Sequence, residues 1–201
     1  VKNSGGSQTI LKVAADRIEA TEKLRLSGDG ICYEDLKIGS SLRAGANPAP
    51  TFAQITGLGN VYLYKFGAVF SDSLYATIQL PHNWKQGTDI TPHLHWTTED
   101  SNAGNIVWTL EYTWANHLGN FGTTTVLEVT SANGTAYRHN MTNFGTISGS
   151  GKTISSILMI RLSRNGAAAA DTYASTAALL DFDIHYEVDS LGSDTITTKT
   201  N

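Results

Sequence analysis

Two histidines lie one residue apart in the stretch LPHNWKQGTDITPHLHWTTED, which spans residues 80–100. The spacing runs from Gly87 through five residues to His93, then one residue to His95, then three residues to Glu99. Side chains two residues apart share one face of a β-strand. Because imidazole and carboxylate groups are ligands for Fe, Mn or Zn, the first hypothesis is a metal site formed by His93, His95 and Glu99.

The same spacing resembles the first motif of the cupin family, whose ligands lie inside a β-barrel. If the histidines pointed inward, Leu94 and Trp96 would point outward into solvent. Each would then lose ~2 kcal/mol of stabilisation from burial. The segment SANGTAYRHN around His139 also lacks the proline turn of the second cupin motif. The sequence therefore favours Leu94 and Trp96 in the core and the histidines on the outer face or at a subunit contact. A metal or anion shared between subunits is a third hypothesis.

A second group of chemical side chains lies in ALLDFDIHYEVDS. Asp181, Asp183 and Glu187 alternate with apolar residues and share a face with His185, as in an acid/base or calcium cluster or in the solvated side of an amphipathic strand. No glycine-rich phosphate loop or nucleophile elbow accompanies them. We therefore predict no catalytic residues, no cofactor and no enzymatic activity.

An aromatic row is the third candidate. Tyr62, Tyr64 and Phe66 alternate in VYLYKF, and Trp84 follows in a predicted loop. Two exposed rings in a row are a surface on which a sugar can stack, so Tyr62, Tyr64 and Trp84 are candidate glycan-binding residues.

The elements that must position these residues are strands. The clearest is NIVWTLEYTWAN, in which Trp108, Leu110, Tyr112 and Trp114 point one way. SLYATIQL and TTTVLEVT have similar patterns, and TISSILMIRLSR is apolar on both faces, as expected of a central strand. In the last run, we expect an apolar face made of Leu180, Phe182, Ile184, Tyr186 and Val188. Seven or eight strands with little helix predict an all-β, antiparallel jelly-roll-like β-sandwich.

Three segments make up the predicted domain organisation. Residues 1–30 form an N-terminal arm, for which an extended arm with a short hairpin is favoured over a helix from about Thr9 to Ala20. Residues 31–60, which contain two prolines and four glycines, form a loop-rich linker leading into the sandwich. Residues 61–201 form the sandwich, in which NGAAAADTYASTAA is either a short helix or a long loop.

The composition limits the partners. The 201 residues carry 14 Lys plus Arg against 18 Asp plus Glu, a net charge of −4, without the basic stripe that nucleic-acid binding needs. Charged residues make up 16%, below the ~25% of an average soluble domain. The sequence contains no run of ~18 apolar residues, which is about the length needed to span a bilayer. We therefore expect neither nucleic acid nor a membrane as a partner.

Between about Tyr33 and Lys199 the chain contains, in order, YEDLKI, PTF, LYATIQLPHNWKQGTDITPHLHW, IVWTLEYTWAN, ISSILMIRLSR, DTY and LLDFDIHYEVDSLGS. In these segments the chain resembles virion proteins of tailed bacteriophages and prophages. The resemblance implies a jelly-roll capsid-decorating or cement protein, or a tail or head-fibre component, located in the virion after assembly in the host cytoplasm. Phage coat or tail proteins are then the expected partners. The segment ILKVAADRIEATEKLRLSG departs from this pattern.

The oligomeric state follows from the polar strand faces. His93, His95, Thr97, Thr109, Glu111 and Thr113 would form an outer face with little charge, and subunit interfaces are depleted in Lys and Glu in this way. Closed rings bury such faces. We therefore predict a homotrimer whose interface includes His93, His95, Thr109 and Glu111.

Overall fold

Two antiparallel sheets pack face to face as a β-sandwich. The computed structural model describes residues 11–13, 18–20, 24–45 and 48–199. Its strands are β1 (Leu11–Val13), β2 (Ile18–Ala20), β3 (Cys32–Lys37), β4 (Arg43–Ala44), β5 (Thr51–Gln54), β6 (Tyr62–Phe66), β7 (Ser73–Gln79), β8 (Ile90–Thr98), β9 (Gly104–Ala115), β10 (Thr125–Asn133), β11 (Asn140–Asn143), β12 (Ile157–Arg164) and β13 (Ala177–Val188). Two single turns of 3-10 helix span Gly28–Gly30 and Gly39–Ser41.

The first sheet has the order β10-β9-β12-β7-β4. The second has the order β11-β8-β13-β6-β5, with β3 paired to β13 beside β6. All pairings are antiparallel. This architecture confirms the predicted jelly-roll-like β-sandwich, and β12 is central in its sheet, as predicted from its apolar faces. None of the helices in the described ranges has the length and hydropathy needed to cross a bilayer.

The core lies between the sheets and is rich in tryptophan. Leu94 and Trp96 of β8 are buried and point inward, and Trp108 and Leu110 of β9 meet them from the other sheet. The Trp96 and Trp108 ring centroids lie 6.0 Å apart. The inward faces predicted for β8 and β9 are therefore confirmed.

A β-bulge in β13 changes the face predicted from simple alternation. The register to β8 shifts between Leu179 and Asp181, so Leu180 is the extra residue. Leu179 is buried, whereas Leu180 is 40% exposed. Phe182 and Ile184 follow the bulge and point into the core as expected. The prediction that Leu180 lies on the apolar face is therefore wrong. The extra residue in the bulge reverses which residues face the core in the part of β13 that precedes it.

The segment 31–60 is part of the sandwich. It supplies β3 and β5 to the six-stranded sheet and β4 to the other, and its Ile38, Leu42 and Ile55 are buried. This corrects the prediction of a loop-rich linker, which followed from its prolines and glycines. The three strands are short, and β3 carries the charged residues Glu34, Asp35 and Lys37, so none of them shows a strong apolar pattern.

In the N-terminal segment, β1 and β2 pair with each other. This pairing excludes a continuous helix from Thr9 to Ala20 and agrees with an extended arm. The short hairpin is expected at the Gly-Asp-Gly turn, but there Gly28–Gly30 form a turn of 3-10 helix, and Arg25 before it forms an isolated bridge with Ser190 in the C-terminal part of the fold. The tract 165–176 is a loop.

Candidate functional site

The outer face of the six-stranded sheet carries a group of imidazole and carboxylate side chains. We call it the histidine–carboxylate cluster and define it by six residues on three adjacent strands: Asp35 and Lys37 on β3, His93 and His95 on β8, and Asp183 and His185 on β13.

Strand register brings the cluster together. β13 runs between β8 and β3, and Asp183 lies directly opposite His93 on one side and Lys37 on the other. His185, two residues on, lies opposite Asp35. Because outward side chains alternate along each strand, these directly opposed pairs share one face of the sheet.

Asp183 is at the centre of the cluster. Although it points out of the sandwich, it is only 1% exposed, because neighbouring side chains cover it. Its Oδ2 accepts a hydrogen bond from Lys37 Nζ at 3.0 Å and lies 3.2 Å from His95 Nε2. Its Oδ1 has no hydrogen-bond partner among the described residues and lies 3.5 Å from His93 Nδ1.

The rest of the cluster is held by hydrogen bonds and ring contacts. His185 Nδ1 and Asp35 Oδ1 lie 2.8 Å apart, and this hydrogen bond holds the pKa of the Asp35 carboxyl below its usual range. The hydrogen bond to Asp183 raises the pKa of the Lys37 ammonium. Tyr33 stacks on the His185 ring at a centroid distance of 5.0 Å. The cluster thus combines fixed charges with imidazole nitrogens, which are groups that transfer protons or bind metals.

A further histidine borders the cluster. His139 lies in the segment before β11, and its Nε2 is 2.7 Å from His95 Nδ1. One of the two nitrogens must carry the proton in this contact, since a hydrogen bond needs one donor and one acceptor.

The structure separates the metal ligands expected from the sequence spacing. His93 and His95 point to the outer face, as the packing argument predicted, and not into a barrel. Glu99 forms an ion pair with Lys65 and accepts a hydrogen bond from Thr56 N at 2.5 Å. The cupin-like hypothesis is therefore wrong in both the direction of the histidines and the identity of the carboxylate.

The predicted interface residues fall on two surfaces. His93 and His95 lie on the outside of the six-stranded sheet, whereas Thr109 and Glu111 belong to β9 in the five-stranded sheet. Glu111 forms an ion pair there with Arg161 of β12, with 2.6 Å between Glu111 Oε1 and Arg161 Nη1. The single continuous polar face expected from the sequence is thus corrected to two faces on opposite sides of the sandwich.

The aromatic candidates also divide. Trp84 is completely buried and packs against Trp114, so its assignment to a glycan surface is wrong. Tyr62 is 50% exposed and Tyr64 is partly buried. Phe52, on the neighbouring strand β5, is 62% exposed, and its ring centroid lies 5.3 Å from that of Tyr64 and 6.1 Å from that of Tyr62.

Three aromatic rings, those of Phe52, Tyr62 and Tyr64, therefore form an exposed group that we call the aromatic patch. Phe52 and Tyr64 also line an open cleft of about 500 Å³.

Sequence reasoning missed Asp35, Lys37 and Phe52. All three lie in residues 31–60, whose prolines and glycines predict a linker instead of strands. The alternation of Tyr33, Asp35 and Lys37 is the signal that identifies β3 as a strand with a polar outer face.

Comparisons with known proteins give limited information. No family model and no curated protein matches the chain. Among solved structures, the chain is similar to the N-terminal xylanase modules of Clostridium thermocellum complexed with xylohexaose, with 12% identity, 89% of this chain and 29% of that chain covered, and a TM-score of 0.39. A structure of infectious bursal disease virus gives 12% identity, 90% and 36% coverage and a TM-score of 0.38.

An arabinose-bound α-L-arabinofuranosidase gives 13% identity, 78% and 23% coverage and a TM-score of 0.32. The chain spans about a third or less of the length of each of these three chains. Similarity at this level carries no argument about function.

Proposed function

We propose that the chain is a non-enzymatic structural protein of a bacteriophage virion, and that it decorates or cements the capsid. The observation that carries this proposal is the extent of the sequence resemblance to phage virion proteins. It runs from about Tyr33 to Lys199 and therefore covers nearly all of β3 and every later strand of the sandwich. The most distinctive segment, PHNWKQGTDITPHLHW, forms a turn and most of β8 near the middle of the six-stranded sheet.

The surface of the sandwich supports a role in assembly. β10 has nine residues and one charged side chain, Glu128, and among the described strands it pairs with β9 alone. Such an edge presents backbone donors and acceptors to another chain. A protein that binds at junctions of coat subunits also gains avidity when several copies are joined, so the proposed homotrimer suits this role.

Analysis of purified particles tests this proposal. Phage particles are induced from the strain that encodes the chain, banded on a density gradient and examined by quantitative mass spectrometry. We expect the chain in a fixed ratio to the coat protein, and immunogold labelling over the capsid. Labelling confined to the tail or fibres would replace the decoration role with a tail or fibre role. Absence of the chain from the particles would refute the virion proposal.

The aromatic patch favours glycan or receptor binding as a second candidate function. Exposed aromatic rings stack against the apolar face of a sugar, and the cleft beside Phe52 and Tyr64 offers space for one. A glycan array probed with the purified chain should give signals that Tyr62→Ala and Phe52→Ala abolish. Phe121→Ala is the matched control, since Phe121 is an exposed ring outside the patch. A signal that survives both patch variants would exclude this surface.

A further inference from the structure

One buried carboxylate oxygen of Asp183 receives no hydrogen bond from any residue that the structure describes. The side chain is 1% exposed, and its two oxygens differ in their surroundings. Lys37 and His95 contact Oδ2, whereas Oδ1 has no hydrogen-bond partner in the described part of the chain. Buried carboxylate oxygens are almost always satisfied by a hydrogen bond or an ion. The position of Oδ1 therefore points to a cation that occupies the space in front of it.

Two other ligand groups surround that space. His93 Nδ1 lies 3.5 Å from Asp183 Oδ1. Asp35 contributes a carboxylate from β3, on the other side of β13. One ligand atom from each of Asp35, His93 and Asp183 lies within 4.8 Å of the other two. The three groups come from three adjacent strands, so the sheet itself fixes their separation.

We propose that Asp35, His93 and Asp183 together bind one divalent metal ion on the outer face of the six-stranded sheet. Metal–ligand bonds to nitrogen and oxygen are ~2.0–2.2 Å long, so two ligand atoms on one ion lie at most ~4.4 Å apart. Ligand atoms around a tetrahedral ion lie ~3.4 Å apart, so the observed spacing of up to 4.8 Å needs a contraction of up to ~1.4 Å. Asp35 can supply it by rotating its side chain, which is 45% exposed.

The donor set indicates the class of metal. Two carboxylates and one imidazole suit Zn²⁺, Mn²⁺ or Fe²⁺, whereas Ca²⁺ and Mg²⁺ prefer oxygen ligands only. Three protein ligands and a partly exposed Asp35 leave room for water at the remaining positions. We choose Zn²⁺ as the probe because the site contains both nitrogen and oxygen ligands and Zn²⁺ accepts each.

Neighbouring side chains orient these ligands. His185 holds one oxygen of Asp35 at 2.8 Å, and Lys37 and His95 hold Oδ2 of Asp183, which leaves Oδ1 for the ion. Contacts of this kind are typical around metal sites. Lys37 also places a positive charge 3.0 Å from Asp183 Oδ2, so it competes with the bound cation. The metal site is independent of the proposed virion role.

The test is Zn²⁺ binding to the full chain, measured by isothermal titration calorimetry and by metal content after equilibrium dialysis. We expect one Zn²⁺ per chain, with affinity reduced more than tenfold in His93→Gln and Asp183→Asn. Asp35→Asn removes a more exposed ligand and should have the same effect, so the test holds even if Asp183→Asn disturbs folding. Circular dichroism of each variant checks that it is folded.

Two control histidines distinguish this site from adventitious binding. His117→Gln removes a solvent-exposed histidine in a turn outside the cluster, and His139→Ala removes the partner of His95. Both variants should bind Zn²⁺ as the unmodified chain does. Loss of binding in His139→Ala with retention in Asp183→Asn would assign the ion to the His95–His139 pair and overturn the proposal. A chain that binds no Zn²⁺ would also overturn it.

Lys37→Gln gives a prediction of opposite sign. Removing the competing ammonium should tighten Zn²⁺ binding about tenfold, because like charges a few ångströms apart at a protein surface repel strongly. A surface histidine site elsewhere would not respond in this way. Unchanged or weaker binding in Lys37→Gln would contradict the position assigned to the ion.

Discussion

Arg164 and Asp171 form an ion pair that is closed off from solvent. Arg164 Nη2 lies 2.6 Å from Asp171 Oδ1 and Nε lies 2.9 Å from Oδ2, and both side chains are 0% exposed. Arg164 points inward from β12 and also donates to the carbonyls of Tyr173 and Ser175. A charged side chain thus lies in the core position that alternation along β12 would give to an apolar residue, and it fixes the 165–176 loop to the sandwich.

The first prediction concerns this pair. Asp171→Asn keeps the volume of the side chain but leaves the arginine charge buried without its partner, so the free energy of unfolding should fall by ~3–5 kcal/mol. Urea denaturation followed by tryptophan fluorescence measures this loss. The matched control is Glu111→Gln, which breaks the half-buried pair with Arg161 and should cost no more than ~1 kcal/mol. Similar losses of unfolding free energy in Asp171→Asn and Glu111→Gln would show that the buried pair contributes no more to stability than the half-buried one.

The second prediction tests the bulge in β13. Leu179 is 5% exposed and Leu180 is 40% exposed, although simple alternation assigns the core position to Leu180. Leu179→Ala should lower the free energy of unfolding by ~2–5 kcal/mol because it leaves a cavity. Leu180→Ala should cost less than ~1 kcal/mol, since its side chain is partly in water. Chemical denaturation of both variants decides between the bulge and uninterrupted alternation, which predicts the reverse order.

The contrast between strands explains what the sequence could predict. In β8 and β9, large apolar residues alternate with polar ones, so the inward faces and the sandwich could be inferred. In β3 the outward residues are Tyr33, Asp35 and Lys37 and the strand is only six residues long. Pairing with β13 stabilises this strand, and its own sequence has no strong strand pattern. Composition alone therefore predicts a linker.

The same reason limits prediction of the site. The sequence groups His93 with His95, and Asp183 with His185, because the members of each pair lie two positions apart in one strand. The connection between these pairs is strand register, which a single sequence does not encode locally. The sequence spacing predicts Glu99 as the carboxylate ligand beside the histidines. In the structure, the carboxylates next to the histidines are those of Asp183 on β13 and Asp35 on β3. That Asp183 Oδ1 has no hydrogen-bond partner within the described ranges is a result of side-chain packing, which the sequence does not show.

The third prediction is a dependence of stability on pH. Burial tends to raise the pKa of Glu99, but hydrogen bonds from Lys65 and the Thr56 backbone outweigh burial, so its pKa lies below the usual 4.5. A carboxyl with a lowered folded pKa stabilises the fold above its unfolded pKa and loses this contribution as pH falls through the folded value.

Stability of the unmodified chain relative to Glu99→Gln should therefore be constant near neutral pH and decline below pH 4.5. Thermal denaturation from pH 7 to 3 measures the difference. Lys65→Met, which removes the main charged partner, should weaken this decline. Parallel curves for the unmodified chain and Glu99→Gln would show that the ion pair contributes nothing.

The fourth prediction compares two buried tryptophans. Trp96 Nε1 donates to Thr142 Oγ1 at 2.9 Å, whereas Trp84 Nε1 has no partner among the described residues. Substitution by Phe removes a similar volume from each, but only Trp96→Phe breaks a hydrogen bond. Trp96→Phe should therefore cost ~1 kcal/mol more in unfolding free energy than Trp84→Phe. Equal costs would mean that the bond to Thr142 adds no net stability.

The last prediction concerns the proposed homotrimer. The predicted interface residues lie on opposite faces of the sandwich, with His93 and His95 on one and Thr109 and Glu111 on the other. A ring of three subunits uses two different surfaces of each chain in one head-to-tail contact, whereas a two-fold dimer uses one surface twice. The division between two faces therefore suits a ring.

Multi-angle light scattering at neutral pH should give three times the chain mass. Thr91→Arg on the six-stranded face and Thr113→Arg on the five-stranded face should each convert the trimer to monomers, because an unpaired charge at the centre of an interface is costly to bury. Leu118→Arg is the control, since Leu118 is 93% exposed in the turn after β9. Disruption by only one of the two variants would indicate a two-fold contact through that face, and a monomeric unmodified chain would refute the trimer because no second copy would then contact either face.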